Sequence, residues 1–316
     1  MSKKIKDLQN IANILRRDVL KMTNASGSGH PTSCLSCAEI ISCLFFNEMK
    51  YDINNSENKD NDEFVLSKGH AAPILYSALF RAGAIKNDLM SLRKIESNLE
   101  GHPIPNSLPW SKIATGSLGQ GLSVGIGFAI AAKLQGRNYR TYVLMGDSET
   151  AEGSVWEAIQ LASHYELNNL LVVIDVNRLG QRGETMLGWN VSEYEKRFQS
   201  FGWDTKIIDG NNIKNILKAF KKAEKSDKPF VIIAKTIKGK GVSFLENKEG
   251  WHGKTLDDIE LGKALEEIKE IQMPVFSVNK PQEINFEFKI EEVIEITSNL
   301  VTLQSGISNR HSRTKD

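Results

Sequence analysis

The stretch Thr141–Asn177, TYVLMGDSETAEGSVWEAIQLASHYELNNLLVVIDVN, decides the fold. Tyr142 to Met145 is apolar and ends at Gly146-Asp147, which predicts a strand running into a turn. Val155, Ile159 and Ala162 recur at helical spacing, with Leu167 one turn beyond. Leu170 to Val176 is an apolar run broken only by Asp175, and it ends at Asn177. Two apolar strands around an amphipathic helix predict a βαβ unit in a parallel sheet buried on both faces. Ligands of such sheets sit at the carboxyl ends of the strands, where Asp147 and Asn177 both fall. A carboxylate and an amide oxygen placed there suit a hard cation such as Mg2+ that keeps phosphate oxygens among its ligands.

Just upstream, Ala114 to Leu122 is glycine-rich and leads into a small-residue helix that ends near Gln135. Gly116, Gly119, Gly121, Gly125 and Gly127 would each weaken an isolated helix by about 1 kcal/mol. Their presence predicts close packing of this segment, or a phosphate at the helix N-terminus. Further upstream, residues 5–22 and 36–48 carry helical apolar faces, and Phe64 to Leu66 is a short strand running into Ser67-Lys68-Gly69-His70. Helices are expected over 73–82 and 88–97. Downstream, helices over 192–201, 212–224 and 257–271 alternate with strands at Thr205 to Ile208 and Phe230 to Ala234. This alternation predicts one doubly wound α/β domain, a mostly parallel sheet flanked by helices, over residues 1–272. From Met273 the pattern changes, and 273–316 reads as a linker-like, partly disordered segment with a frayed polar end.

Formal net charge is +1, so charge makes no case for nucleic acid or an anionic membrane. No apolar run approaches the roughly 20 residues of a membrane span, and the N-terminus lacks the apolar core of a secretory signal. Cys34, Cys37 and Cys43 lie close together, the first two with C-x-x-C spacing. No second ligand pair accompanies them, and Ile40, Ile41 and Leu44 place them in an apolar helix. They read as buried small residues in a reducing cytoplasm rather than as a metal or redox pair.

Four of the six histidines, His30, His70, His102 and His252, fall in loops that contain Gly or Pro. One loop histidine is usually a surface residue. Four such loops point to proton transfer or anion binding near neutral pH. Lys68 and Lys238, in Ser-Lys-Gly and Ile-Lys-Gly, read either as phosphate ligands or as solvated surface. Neither a G-x-x-x-x-G-K-[ST] loop nor a G-x-G-x-x-G after a strand is present, which counts against a P-loop phosphotransferase and a dinucleotide dehydrogenase. An enzyme that holds an organic diphosphate through a metal remains.

Gly146-Asp147 followed by Asn177 resembles the metal motif of thiamine-diphosphate enzymes, transketolases above all. Gly-Ser-Gly-His30-Pro, Leu-Ser-Lys68-Gly-His70, Gly-His102-Pro, Ala-Thr-Gly116-Ser-Leu-Gly-Gln-Gly, Glu152-Gly-Ser-Val-Trp-Glu157, Asn177-Arg-Leu179-Gly-Gln, Lys235-Thr-Ile-Lys238-Gly and Trp-His252-Gly look like transketolase motifs in order. The resemblance implies Mg2+ or Ca2+ on Asp147, Asn177 and the Leu179 carbonyl. It implies thiamine diphosphate contacts from Ser33, Lys68, His70, Gly116, Leu118, Gly146, Ser148, Asn177 and Lys238. His30, His102 and His252 would face the sugar as catalytic residues, and Glu152 and Glu157 resemble interface carboxylates of a dimer. The implied reaction is transfer of a two-carbon ketol unit from a ketose phosphate to an aldose phosphate.

Two departures stand out. Ser148 replaces the usual glycine, which predicts weaker cofactor binding because glycine permits positive φ and close approach to phosphate. The chain also stops at Asp316, before the pyrimidine-binding domain of a whole transketolase. It is therefore expected to be the N-terminal subunit of a split enzyme, working as a homodimer or heterotetramer with a C-terminal partner chain. The alternatives are a non-catalytic domain that binds cofactor or partner only, and the α-type subunit of a 2-oxo acid dehydrogenase.

Overall fold

A computed structural model describes residues 2–284. The frayed end expected beyond them lies outside the described residues. Helix α1 spans Lys3–Ser26; the Ser2 hydroxyl accepts from the Ile5 N–H, and Gly27, at φ 60°, returns its N–H to the Asn24 carbonyl at 2.9 Å. This is the left-handed cap glycine favours. Pro31–Leu35 (α2), Ala38–Cys43 (α3) and a π-helical turn at Leu44–Glu48 replace the single second helix expected. Strand β1 (Glu63–Leu66) and α4 (Ala72–Ala82) follow.

The helix expected over 88–97 is not formed. One 3-10 turn, Leu89–Ser91, is capped by Asp88, whose carboxylate accepts from the Met90 N–H at 2.9 Å. Arg93 and Glu96 then turn to positive φ, and the Arg93 N–H bonds to the Leu99 carbonyl at 2.8 Å. Leu89, Leu92 and Leu99 are buried. A loop that plunges three leucines into the core mimics a helical apolar face in sequence.

The remaining elements are α5 (Gly121–Leu134), β2 (Thr141–Gly146), α6 (Gly153–His164), β3 (Leu170–Val176), a two-residue hairpin of β4 (Leu179–Gly180) and β5 (Gly183–Glu184), α7 (Val191–Ser200), β6 (Asp204–Asp209), α8 (Ile213–Ala223), β7 (Phe230–Lys235) and α9 (Asp258–Glu267). The main sheet is parallel throughout, in the order β1-β2-β3-β7-β6. Alternate strand residues feed two cores. Leu144, Leu171, Val173, Phe230 and Ile232 face the layer of α1, α3, α4 and α8. Val143, Met145, Val172, Ile174, Val231 and Ile233 face α5, α6 and α7. That is the doubly wound arrangement expected. In register, Gly146 pairs with Asp175 and Asp175 with Ala234, so the ends of β2, β3 and β7 form one rim.

The glycines of α5 are there for contact. A Cβ on Gly125 would lie 2.4 Å from Val143 Cγ2, and one on Gly121 2.4 Å from Ser67 Oγ. The segment after Met273 is extended and docked. The Phe276 ring packs edge-on to Phe46 at 4.8 Å, and Tyr51 N–H donates to the Asn279 carbonyl at 2.8 Å. Among the described residues, no helix is long and apolar enough to cross a membrane.

Candidate active site

The four loop histidines converge above the strand rim. The His30 ring lies 5.1 Å from His70, 5.0 Å from His252 and 6.4 Å from His102, centroid to centroid; His70 and His252 are 5.3 Å apart. Each is set by its neighbours. His30 precedes Pro31 at the start of α2. The Trp251-His252-Gly253 loop is tied to α2 by the Thr32 hydroxyl, which donates to the Trp251 carbonyl at 3.0 Å. His102 covers Gly116, whose φ is 139°; a Cβ there would come within 2.9 Å of the imidazole. Gly69 abuts Thr115 and the Gly116 nitrogen, so the His70 and Gly116 loops lie against each other.

Burial sets the charge of this cluster. It lowers His30 to about 4, helped by His102 and Lys238, and His252 to about 3, helped by Lys238. His70 and His102 move the same way for the same first reason. All four are neutral at pH 7 and can each both donate and accept. Lys238 Nζ lies 2.7 Å from His252 Nδ1 and donates to the Leu179 carbonyl at 2.5 Å. An ammonium has only donors, so Nδ1 accepts and His252 carries its proton on Nε2. Burial and the Lys68 charge lower Lys238 to about 8.

Asp147, at the end of β2, is buried and accepts from the Ser148 N–H (2.9 Å), the Arg178 N–H (2.7 Å) and the Thr185 hydroxyl (3.2 Å). Arg178, at φ 64°, is left-handed between Asn177 and Leu179, and its N–H ties this turn to Asp147 while the Leu179 N–H donates to Asn177 Oδ1. Burial, then the Asp175 charge, pushes Asp147 up to about 6. Asp147 is a buried carboxylate with neutral donors and no bonded cationic side chain, tied through the Arg178 N–H to the Asn177–Leu179 turn, whose carbonyl at Leu179 meets the Lys238 ammonium; a carboxylate and oxygens of this kind fit a cation. The Ser33 hydroxyl is buried with no hydrogen-bond partner, as a group reserved for a ligand oxygen would be. The residues present therefore fit a metal-held diphosphate. Ser148 has ordinary backbone geometry within the 3-10 turn Asp147–Ala151. Leu118 is half-buried on the Gly116 loop, and Glu152 and Glu157 are exposed.

Lys68 departs from the role expected of it. Its ammonium is buried, bonded to Asp175 at 2.5 Å and to the Ser33 carbonyl at 2.8 Å, with Cys37 Sγ at 3.9 Å. Its ammonium is thus engaged by protein groups. Burial alone would lower its pKa, but the Asp175 carboxylate outweighs that and holds it high. Asp175 is the one break in an otherwise apolar strand, and that break is the sequence signal for this buried pair. Glu149 was missed. It accepts from Ser67 Oγ at 2.5 Å, Gly119 N–H at 3.0 Å and Gly146 N–H at 2.8 Å, joining three of the loops that frame the site. Cys34, Cys37 and Cys43 are buried thiols, unpaired with one another; burial pushes Cys37 up to about 12.

The profile described as "Transketolase, thiamine diphosphate binding domain" matches residues 7–299. The chain belongs to the transketolase family. Mouse transketolase-like protein 2 is 51% identical over 252 residues, covering 79% of this chain and 40% of that protein. An apulose-4-phosphate transketolase subunit of Actinobacillus succinogenes is 36% identical over 266 residues, covering 84% of this chain and 96% of that one. The transketolase structure from Campylobacter jejuni superimposes with a TM-score of 0.79 at 33% identity, over 97% of this chain and 48% of that chain. The chain thus spans about two fifths of the length of the mouse relative, whereas it covers nearly the whole of the Actinobacillus protein.

Proposed function

We propose that this chain is the diphosphate- and metal-holding subunit of a two-chain transketolase, which moves a two-carbon ketol unit from a ketose phosphate to an aldose phosphate together with a C-terminal, pyrimidine-binding partner. The observation that carries this is the meeting of His30, His70, His102 and His252 beside Asp147, Asn177, Leu179 and Lys238. Asp147, Asn177 Oδ1 and the Leu179 carbonyl would hold Mg2+ or Ca2+. Ser33, His70, Gly116, Leu118, Gly146, Ser148 and Lys238 would line the diphosphate side of the cofactor.

Thiamine diphosphate, when bound, supplies the carbanion chemistry that makes and breaks the ketol carbon–carbon bond. The residues of this chain do the rest of the work assigned to it. His30, His102 and His252, neutral and close together, can pass a proton to or from a sugar hydroxyl and donate to an oxygen that gains negative charge. Lys238 fixes the His252 tautomer so that Nε2–H is the outward donor. The Glu149 carboxylate takes the Gly119 and Gly146 N–H groups and so ties the loops on either side of the site together. The buried thiols agree with a reducing, cytoplasmic setting.

The test is twofold. Calorimetry should find thiamine diphosphate binding that depends on Mg2+. Ketol transfer should arise only when a pyrimidine-domain chain is added. Ketol transfer by the purified chain alone would rule out the two-chain reading, and turnover of 2-oxo acids in place of ketose phosphates would rule out the substrate class. No cofactor binding with or without the partner would leave only a non-catalytic domain.

A further inference from the structure

Asp175 is the only charged residue in β3 and is fully buried. Its Oδ2 accepts from Ser36 Oγ at 2.6 Å, Lys68 Nζ at 2.5 Å and Asn177 Nδ2 at 3.0 Å, and its Oδ1 from the Thr236 hydroxyl. The donors come from the α2–α3 junction and from the ends of β1, β3 and β7. A carboxylate this deep is costly unless every lone pair is used, and a strand serving only the core would carry valine or isoleucine here.

The contact with Asn177 has a directional consequence. A carboxylate only accepts, so it takes the NH2 end of the amide. Oδ1 then faces the other way, where the Leu179 N–H donates to it at 3.2 Å. Turned over, the amide would set oxygen against carboxylate and NH2 against N–H, so both contacts would be repulsive. We propose that Asp175 is a positioning residue of the cation site: it locks the Asn177 amide with its oxygen toward the cation held with Asp147 and the Leu179 carbonyl, while Lys68 balances its charge. This rests on the metal-site reading above and adds the residue that orients one of its ligands.

Removing Asp175 alone would strand the Lys68 charge and could unfold the chain, so both charges are removed together. Two double variants are compared in the full chain: Lys68→Met with Asp175→Asn, which keeps an oxygen for Asn177 Nδ2, and Lys68→Met with Asp175→Leu, which keeps none. Lys68→Met is common to both, so their ratio isolates position 175. The measurement is Mn2+ affinity in the presence of thiamine diphosphate, read from the paramagnetic resonance of free Mn2+, beside thermal unfolding of each variant. The leucine variant is expected to bind Mn2+ about 10–100-fold more weakly than the asparagine variant, the usual loss when the group orienting a ligand is removed. That loss should persist at temperatures where both variants are fully folded. Equal affinities, or a difference that vanishes where both are folded, would overturn the inference alone. Failure of the wild-type chain to take up Mn2+ with thiamine diphosphate would overturn the site reading and the inference with it.

Discussion

At Ser148 the resemblance to transketolases leads one to expect glycine, whose freedom to take positive φ and approach a phosphate closely made weaker cofactor binding the expectation. The turn after β2 does not call for positive φ at this position. Ser148 sits in an ordinary 3-10 conformation and gives its N–H to its own neighbour, Asp147, at 2.9 Å. Its side chain lies beside Gly180, 3.6 Å from where a Cβ on that glycine would stand, so it adds packing without strain. Ser148→Gly is therefore expected to lower stability by about 0.5–1 kcal/mol through unfolded-state entropy, and to leave thiamine diphosphate affinity in Mg2+ within about threefold, since about 0.6 kcal/mol separates such values. Thermal unfolding and a cofactor titration check both numbers. A tenfold tightening would show instead that the hydroxymethyl group obstructs the cofactor. Gly116 is the contrasting case, because its φ of 139° and the His102 ring leave no room for a side chain.

Among the elements, α5 separates two reasons for carrying glycine. Gly125 faces β2, and a Cβ there would meet Val143 Cγ2 at 2.4 Å, whereas around Gly127 nothing lies within 4 Å. Gly125→Ala should destabilise by about 1–3 kcal/mol, because overpacking of a stiff β-branched neighbour outweighs helix propensity. Gly127→Ala should stabilise by up to about 1 kcal/mol. Denaturant melts of the two variants would test this, and stabilisation of both would mean that α5 stands farther from the sheet than the Gly125–Val143 contact requires. The strands were legible in sequence because a parallel sheet buried on both faces demands continuous apolar runs, as in Leu170–Val176. The histidine loops were legible because Gly and Pro mark them. The 88–97 loop was not, since Leu89, Leu92 and Leu99 reach the core at helix-like spacing without a helix. Nor could sequence show which partner a buried charge finds. Lys68 and Asp175 lie far apart in the chain, on strands separated in the sheet by β2, and only the folded sheet brings the residue after β1 onto the carboxylate of β3.

Over the whole molecule, among the described residues, buried groups pull stability in opposite directions with pH: carboxyls raised by burial, Glu48 and Asp62 at the strand starts and Asp147 at the strand ends, against the histidines of the site. At the strand starts, burial, aided by the Glu224 charge, raises Glu48 to about 7, and burial raises Asp62 to about 6. Asp62 does so although the Lys50 and Arg140 N–H groups both donate to it at 2.8 Å. In these carboxyls the folded chain keeps a proton that the unfolded chain has lost. Their contribution is therefore full below the ordinary carboxyl pKa and is lost as pH rises toward 6 and 7. At the strand ends, His30 and His252 are held near 4 and 3. Their contribution is full above the ordinary histidine value of about 6.5 and is lost as pH falls below it. The two effects overlap between about pH 4.5 and 6.5, so the wild-type profile there is flatter than either set alone would give. Glu48→Gln removes the larger carboxyl effect and uncovers the histidines. The variant should gain on the order of 1–2 kcal/mol relative to wild type on going from about pH 5 to about pH 8, a figure reduced for the partial exposure of Glu48. Its stability should also fall more steeply on acidification. Thermal unfolding of both proteins across that range decides the matter, and parallel curves would mean that Glu48 ionises normally in the folded chain.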